Sequence, residues 1–350
     1  MANPETFAEP TPAQLRRLYN SAQHLANMAP WEWMDDTQVF GVKDPHTGVI
    51  GWCVILGAIK QVYGLNVFLG DRGFSQLLEM MDDGSYGNPY LAVEMDVLVL
   101  HYNAKKEISD DERLRFKKIT GSGGILIGRK KHWPWARRLQ PWLYPRSISS
   151  GECELLCDAL DQACNIGKRL AGNPDMELSH DDGSILVRAK EPSGAGDGWI
   201  DSWEIPGDYI RPTVEARWDY DRVKKIREKA DISKETWDID TFPVLTPVQG
   251  SDALFYPRVV IVMNKASGFV LHCEVVEPDE QDWSSVLDCL LKTMENTSLA
   301  PSVIRVRDED LYGILNSFGD VMGFRVHRAV SMPLMDSFIG EIIESLRNDG

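Results

Sequence analysis

From Arg113 to Arg146 the sequence carries ten basic side chains and no acid: Arg113, Arg115, Lys117, Lys118, Arg129, Lys130, Lys131, Arg137, Arg138 and Arg146. Trp133, Trp135, Trp142 and Tyr144 are interleaved with them. Cationic groups neutralise phosphates and flat rings stack on bases, so this mixture can form a surface for single-stranded nucleic acid or another anion. It can equally form a packed loop, with Trp and Pro residues on the core and the cations paired with acids elsewhere in the chain. The candidate contact residues for an anionic ligand or a protein partner are Arg129, Lys130, Lys131, Trp133, Trp135, Arg137, Arg138, Trp142 and Arg146.

Other chemistry-bearing groups lack a necessary part. His272 and Glu274 form H-x-E, which zinc deaminases complete with P-C-x-x-C so that His and Cys hold metal and Glu moves protons. Here only Cys289 follows, too few ligands for a metal. Strand alternation puts Phe269, Leu271, Cys273 and Val275 on one face and leaves His272 and Glu274 on the other, a solvated or pairing face. Cys153, Cys157 and Cys164 share one face of one helix with no His or fourth thiol at that spacing, so a buried stripe is expected. The glycines of GSGG (121–124) follow a helix and precede a strand, the reverse of a phosphate-cradling loop, and read as a helix cap and turn. No G-x-S-x-G elbow, H-E-x-x-H, Walker loop, EF-hand loop or paired C-x-x-C occurs. No metal and no cofactor is expected.

The elements that must position these residues carry local signals. Thr11, Pro12 and Gln14 open a helix with Leu15, Leu18, Tyr19, Ala22, Leu25 and Ala26 on one face. DPHTG joins two β-rich runs as a hairpin. VYGLNVFLG is a strand, Asp71 caps the next helix, and YLAVEMDVLVLHY reads as one long strand. ISDDERLRFKKI is a helix ending at TGSGG, and Ser149 with Glu152 forms a second capping box. ILVRAK and GWIDSWEI are strands around EPSGAGDG, read as an exposed loop, and a charged helix spans 220–229. ETWDIDTFPVLTPVQGSDALFYP has no periodicity and is placed as a linker.

The result is an α+β chain of two domains: an N-terminal domain, 1–234, with a subdivision near 150, a linker, 235–255, and a C-terminal domain, 256–350. The last reads β-β-α-β-α-β-α, a mixed sheet with three helices. That order is similar to ribonuclease-H-like nucleases and integrases, whose two-metal chemistry needs carboxylates on the first strand and after a later one. With RVVIVMN as first strand there is no acid, only Asn264, and Asp308 is better taken as a helix N-cap. A ribonuclease-H-like shape without chemistry is the expectation, on fold analogy alone.

LYNSAQHLANMAPWEWMDDTQVFGVKDPHTG, GWCVILG, VYGLNVFLGDRG and GRKKHWPWARRLQPWLYPRS resemble a bacterial family of unknown function. RVVIVMNKASGFVLHCEVVEPDE, PSVIRVRDEDLYGIL and GFRVHR resemble a second domain of unknown function that is joined to it. Trp133-Pro134 and Pro141-Trp142 fit the first family's pattern, whereas its intervening Phe-Arg-Ser and Pro-Gly are absent. The resemblance implies no activity, cofactor or catalytic residue.

With 37 basic and 53 acidic residues among 350, the formal charge of −16 excludes a protein that coats nucleic acid through its overall field. No stretch has the ~20 apolar residues that span a bilayer, and no secretory signal is present, so no membrane partner is expected. Six irregularly spaced Cys imply reduced thiols and a cytoplasmic location. The leading expectation is a non-catalytic binding or adaptor protein with a protein or anionic partner, nucleic acid being admitted but not favoured. The alternative is an enzyme of unrecognised type, nucleic acid being one substrate class admitted, with its site between the domains.

Overall fold

The computed structural model describes residues 8–82, 89–191, 198–250 and 253–348. Most of the EPSGAGDG tract falls outside them. The chain forms two compact units, the first made of Met1–Gly87, Met95–Gln140 and Pro145–Tyr209, the second of Asn88–Glu94, Pro141–Tyr144 and Ile210–Gly350.

The first unit is built on strands β1 (Phe40–Lys43), β2 (Ile50–Leu56), β3 (Gly64–Leu69), β4 (Val97–Ala104), β5 (Ile125–Ile127), β6 (Lys130–Leu139), β7 (Ile185–Lys190) and β8 (Trp199–Glu204). They form one sheet in the order β5-β6-β4-β3-β2-β1-β7-β8, antiparallel throughout except for the parallel pair β1 and β7. Helices α1 (Pro12–Met28), α4 (Asp110–Thr120) and α5 (Ser150–Gly172) bury apolar faces in the larger core, which takes Leu18, Leu25, Phe116, Leu156 and Leu160. Cys153, Cys157 and Cys164 lie in that core, as expected of a buried stripe. α2 (Gly70–Met81) brings Leu77 to a smaller cluster with Trp52, Phe68 and Val97. Local capping chemistry sets the helix starts: Thr11/Gln14, Ser109/Glu112 and Ser149/Glu152 are all reciprocal capping boxes. Two expectations are corrected. Asp71 does not cap α2 but lies in its first turn, where it accepts from the Gly207 N–H. The run read as one strand from Tyr90 is helix α3 (Pro89–Glu94), part of the second unit, followed by β4.

In the second unit α6 (Tyr220–Lys229) precedes a five-stranded sheet. The short strands β9 (Asp231–Ile232) and β15 (Leu299–Ala300) pair in parallel, and β11 (Val248–Gln249) with β12 (Leu254–Phe255) antiparallel. The main sheet contains β10 (Thr236–Pro243), β13 (Arg258–Asn264), β14 (Val270–Val276), β16 (Val303–Val306) and β17 (Arg325–Arg328), in the order β14-β13-β10-β16-β17. β10, β13 and β14 are antiparallel neighbours, and β10, β16 and β17 are parallel ones. α7 (Ser284–Thr297) and α8 (Glu309–Met322) share a core with Trp237 and Ile239, and α9 (Pro333–Asn348) packs on the other face with Phe242, Val259 and Ile261.

The tract at 235–255 is therefore not a linker. Its first part is β10, the middle strand of the sheet, buried on both faces. It looked aperiodic because Trp237 and Ile239 face one side while Asp238, Asp240 and Phe242 face the other, so no side is purely apolar. With β10 included, the unit reads β-β-β-α-β-α-β-α. Its strand order and directions are those of a ribonuclease-H-like sheet whose first strand is β10, not RVVIVMN. Among the described residues no helix is long and apolar enough to cross a membrane.

Candidate functional site

Among the described residues the basic segment divides into exposed cations without an ion-pair partner, at the β5–β6 tip and at Arg115, Lys117 and Lys118 of α4, and arginines paired within the fold. β5 and β6 form a tight hairpin in which Ile127 faces Lys130, with Gly128 at φ 59° in the turn. Arg129, Lys130 and Lys131 at this tip are exposed, and among the described residues none has an ion-pair partner. Exposed Lys117 and Lys118 end α4, which Gly121 terminates in a left-handed conformation. Lys131 reaches back over Gly123 of the following turn.

The other candidates are committed to the fold. Arg137 pairs with Glu112 and lies 4.8 Å from the half-buried ring of Trp135. Arg138, buried in β6, pairs with Asp96 and sits 3.3 Å from Glu152. Arg146 grips both oxygens of Glu152 at 2.7 and 2.8 Å and bonds Gln140. Burial alone would raise the Glu152 carboxyl, but hydrogen bonds from Arg146 and the Ser149 N–H outweigh it and hold the group below its ordinary range. Trp133 is in the core of the first unit, with Arg113 6.0 Å over its ring. Trp142 belongs to the second unit, where it is buried with the Arg258 guanidinium 4.5 Å over its ring. Trp133 and Trp142 are therefore not available as stacking platforms at the hairpin tip, where Leu126 is exposed.

A second constellation emerges only once β10 is recognised. Asp238 and Asp240 are buried on the α9 face of the sheet, directly beside β16. Arg305 binds both oxygens of Asp238 at 2.7 Å, and Arg307 bridges Asp240 and Asp336 of α9. Burial pushes the Asp240 carboxyl up against the opposing pull of Arg307. Asp308 accepts from the Leu311 N–H at 2.8 Å, the helix N-cap read from the sequence. The first strand does hold acids, correcting the sequence reading, but arginines occupy the carboxylates that two divalent ions would need.

His272 and Glu274 lie on the face of β14 that meets α7. A bulge opposite Val262 and Met263 leaves Leu271 unpaired, so the apolar set expected to point inward is split. Leu271 packs on the core, whereas Phe269, Cys273 and Val275 are exposed. Nε2 of His272 is 2.9 Å from Glu274 Oε2, the Cys289 thiol is 3.7 Å from the same oxygen, and Lys292 Nζ donates to both Glu274 oxygens at 2.8 and 3.0 Å. Sequence reasoning set Cys289 aside as isolated. The signal available was a hairpin followed after a short connection by an amphipathic helix, which packs back on the sheet and brings Cys289 and Lys292, one turn apart, over Glu274.

Residues 16–188 match the family model described as Domain of unknown function (DUF7309), and residues 222–343 match Domain of unknown function (DUF6930). The two matches bear out the resemblance to a two-domain protein of unknown function, and the second spans all of β10. No curated protein matches the chain.

Proposed function

We propose that this chain, carrying two domains of unknown function, is a non-catalytic binding protein whose anionic partner contacts the tip of the β5–β6 hairpin. The observation behind it is that Arg129, Lys130 and Lys131 are exposed without an ion-pair partner among the described residues, while neighbouring arginines neutralise the protein's own acids. Two ammonium groups and one guanidinium, with Trp133 and Trp142 buried, favour an acidic protein surface over stacked bases, because stacking supplies much of single-strand affinity. Six free thiols fit a cytoplasmic setting.

The test is fluorescence anisotropy with labelled polyglutamate and with a labelled single-stranded oligonucleotide, in low and physiological salt. Wild type should bind polyglutamate in a salt-dependent way, and the Arg129→Gln, Lys130→Gln, Lys131→Gln triple variant should bind about tenfold more weakly. Equal binding by wild type and variant sinks the assignment, and a preference for the oligonucleotide moves the partner to nucleic acid.

The non-catalytic part rests on the arginines that occupy Asp238 and Asp240. Incubated with Mg²⁺ or Mn²⁺, the full chain should leave single-stranded DNA and RNA intact. Metal-dependent cleavage that disappears in Asp238→Asn or Asp240→Asn would show instead that the carboxylates are released for catalysis.

A further inference from the structure

We propose that His272, Glu274 and Cys289 form a binding site for a transition-metal dication of the zinc type. The donors come from two packed elements, an imidazole and a carboxylate from β14 and a thiol from α7. One ligand atom from each lies within 4.8 Å of the others. Tetrahedral zinc with bonds of roughly 2.0–2.3 Å holds its ligand atoms about 3.3–3.8 Å apart, so small side-chain shifts close this triad around an ion. Sulfur and imidazole nitrogen select zinc, cobalt or a similar ion and disfavour magnesium and calcium, which take oxygen ligands. Three protein ligands leave a fourth position open to water or an incoming group.

The place is already organised around a cation. Lys292 holds its ammonium against both Glu274 oxygens and 3.0 Å from Asp288, one turn earlier on α7. Arg222 also binds Asp288 and reaches Glu295 at 2.7 Å, so Asp288 is fixed whether or not Lys292 stays on Glu274. The Lys292 stem is flexible and partly exposed, so the ammonium can leave Glu274 and keep Asp288. Metal entry then breaks the Lys292–Glu274 ion pair and the Cys289 S–H bond, forms metal–oxygen, metal–nitrogen and metal–sulfur bonds, and releases the thiol proton to solvent. Lys292 is thus a built-in competitor for the ion.

The proposal is tested on the full chain, stripped with chelator and titrated with Co²⁺, then with Zn²⁺ in competition. Wild type should develop a thiolate-to-cobalt charge-transfer band that Zn²⁺ bleaches. Cys289→Ser should abolish the band, and His272→Ala and Glu274→Gln should each weaken binding on the order of tenfold or more. Cys273→Ser, altering the exposed thiol on the opposite face, should change nothing. Lys292→Met should tighten binding on the order of tenfold, an effect that adventitious metal on a surface thiol would not show. If Cys289→Ser does not fold, the half-exposed Glu274→Gln carries the test. Absence of the band in wild type, a band that survives Cys289→Ser, or an affinity unmoved in both His272→Ala and Glu274→Gln overturns the proposal.

Discussion

Replacing Arg138 by alanine is expected to cost the first unit about 3–5 kcal/mol of stability, whereas neutralising Arg129, Lys130 and Lys131 together should change it by no more than about 0.5 kcal/mol. The Arg138 side chain is 9% exposed and lies between Asp96, at 21%, and Glu152, at 19%. Its removal strands Asp96 and strips one of two arginines from Glu152, which also accepts from the Ser149 N–H to cap α5. Half-buried acids stripped of a cation lose more than the net worth of the pair, since their desolvation is no longer offset. The pH dependence carries a sign. Glu152 is held below its unfolded range, so its contribution is present above that range and lost as pH falls through the lowered native value. Because Arg138 helps to hold it down, the deficit of Arg138→Ala should narrow as pH falls below the ordinary glutamate range and through the lowered native one. Urea denaturation followed by tryptophan fluorescence measures both effects. An unchanged midpoint in Arg138→Ala would show that the arginine is solvated and available to a partner.

That contrast explains why counting charges along the chain identified the basic segment but not which cations are free. The neutralising acids stand outside it: Glu112 in the first turn of α4, Asp96 just before β4, and Glu152 in a capping box. Each has a sufficient local explanation in sequence, and only the sheet that aligns Arg138 with Leu98 of β4 brings Asp96 to it. Helix starts were legible because a cap is chemistry within four residues, as at Thr11, Ser149 and Asp308. β10 was not legible for the opposite reason. Its two aspartates interrupt the apolar pattern, and their partners Arg305 and Arg307 lie far along the chain, in β16 and just after it. The same limit hid Cys289, whose approach to Glu274 depends on how α7 lies on β14.

Asp238→Ala should destabilise the second unit by about 3–5 kcal/mol, while Asp238→Leu combined with Arg305→Met should lie close to wild type. The Asp238 side chain is 4% exposed in the middle strand of the sheet, beside fully buried Trp237, and both its oxygens are taken by one guanidinium. Loss of the acid alone leaves Arg305 partly buried with two unmet donors, next to the Asp240–Arg307 pair. Replacing both partners by apolar groups of similar volume removes the desolvation cost along with the attraction. Thermal or urea unfolding of the single and double variants separates a carboxylate held by arginine from one that is free to bind a cation. If the single variant loses under about 1 kcal/mol, the pair behaves like an exposed one. Asp238 would then be open to a metal ion, and the lock that argues against nuclease chemistry in this ribonuclease-H-like sheet would be gone.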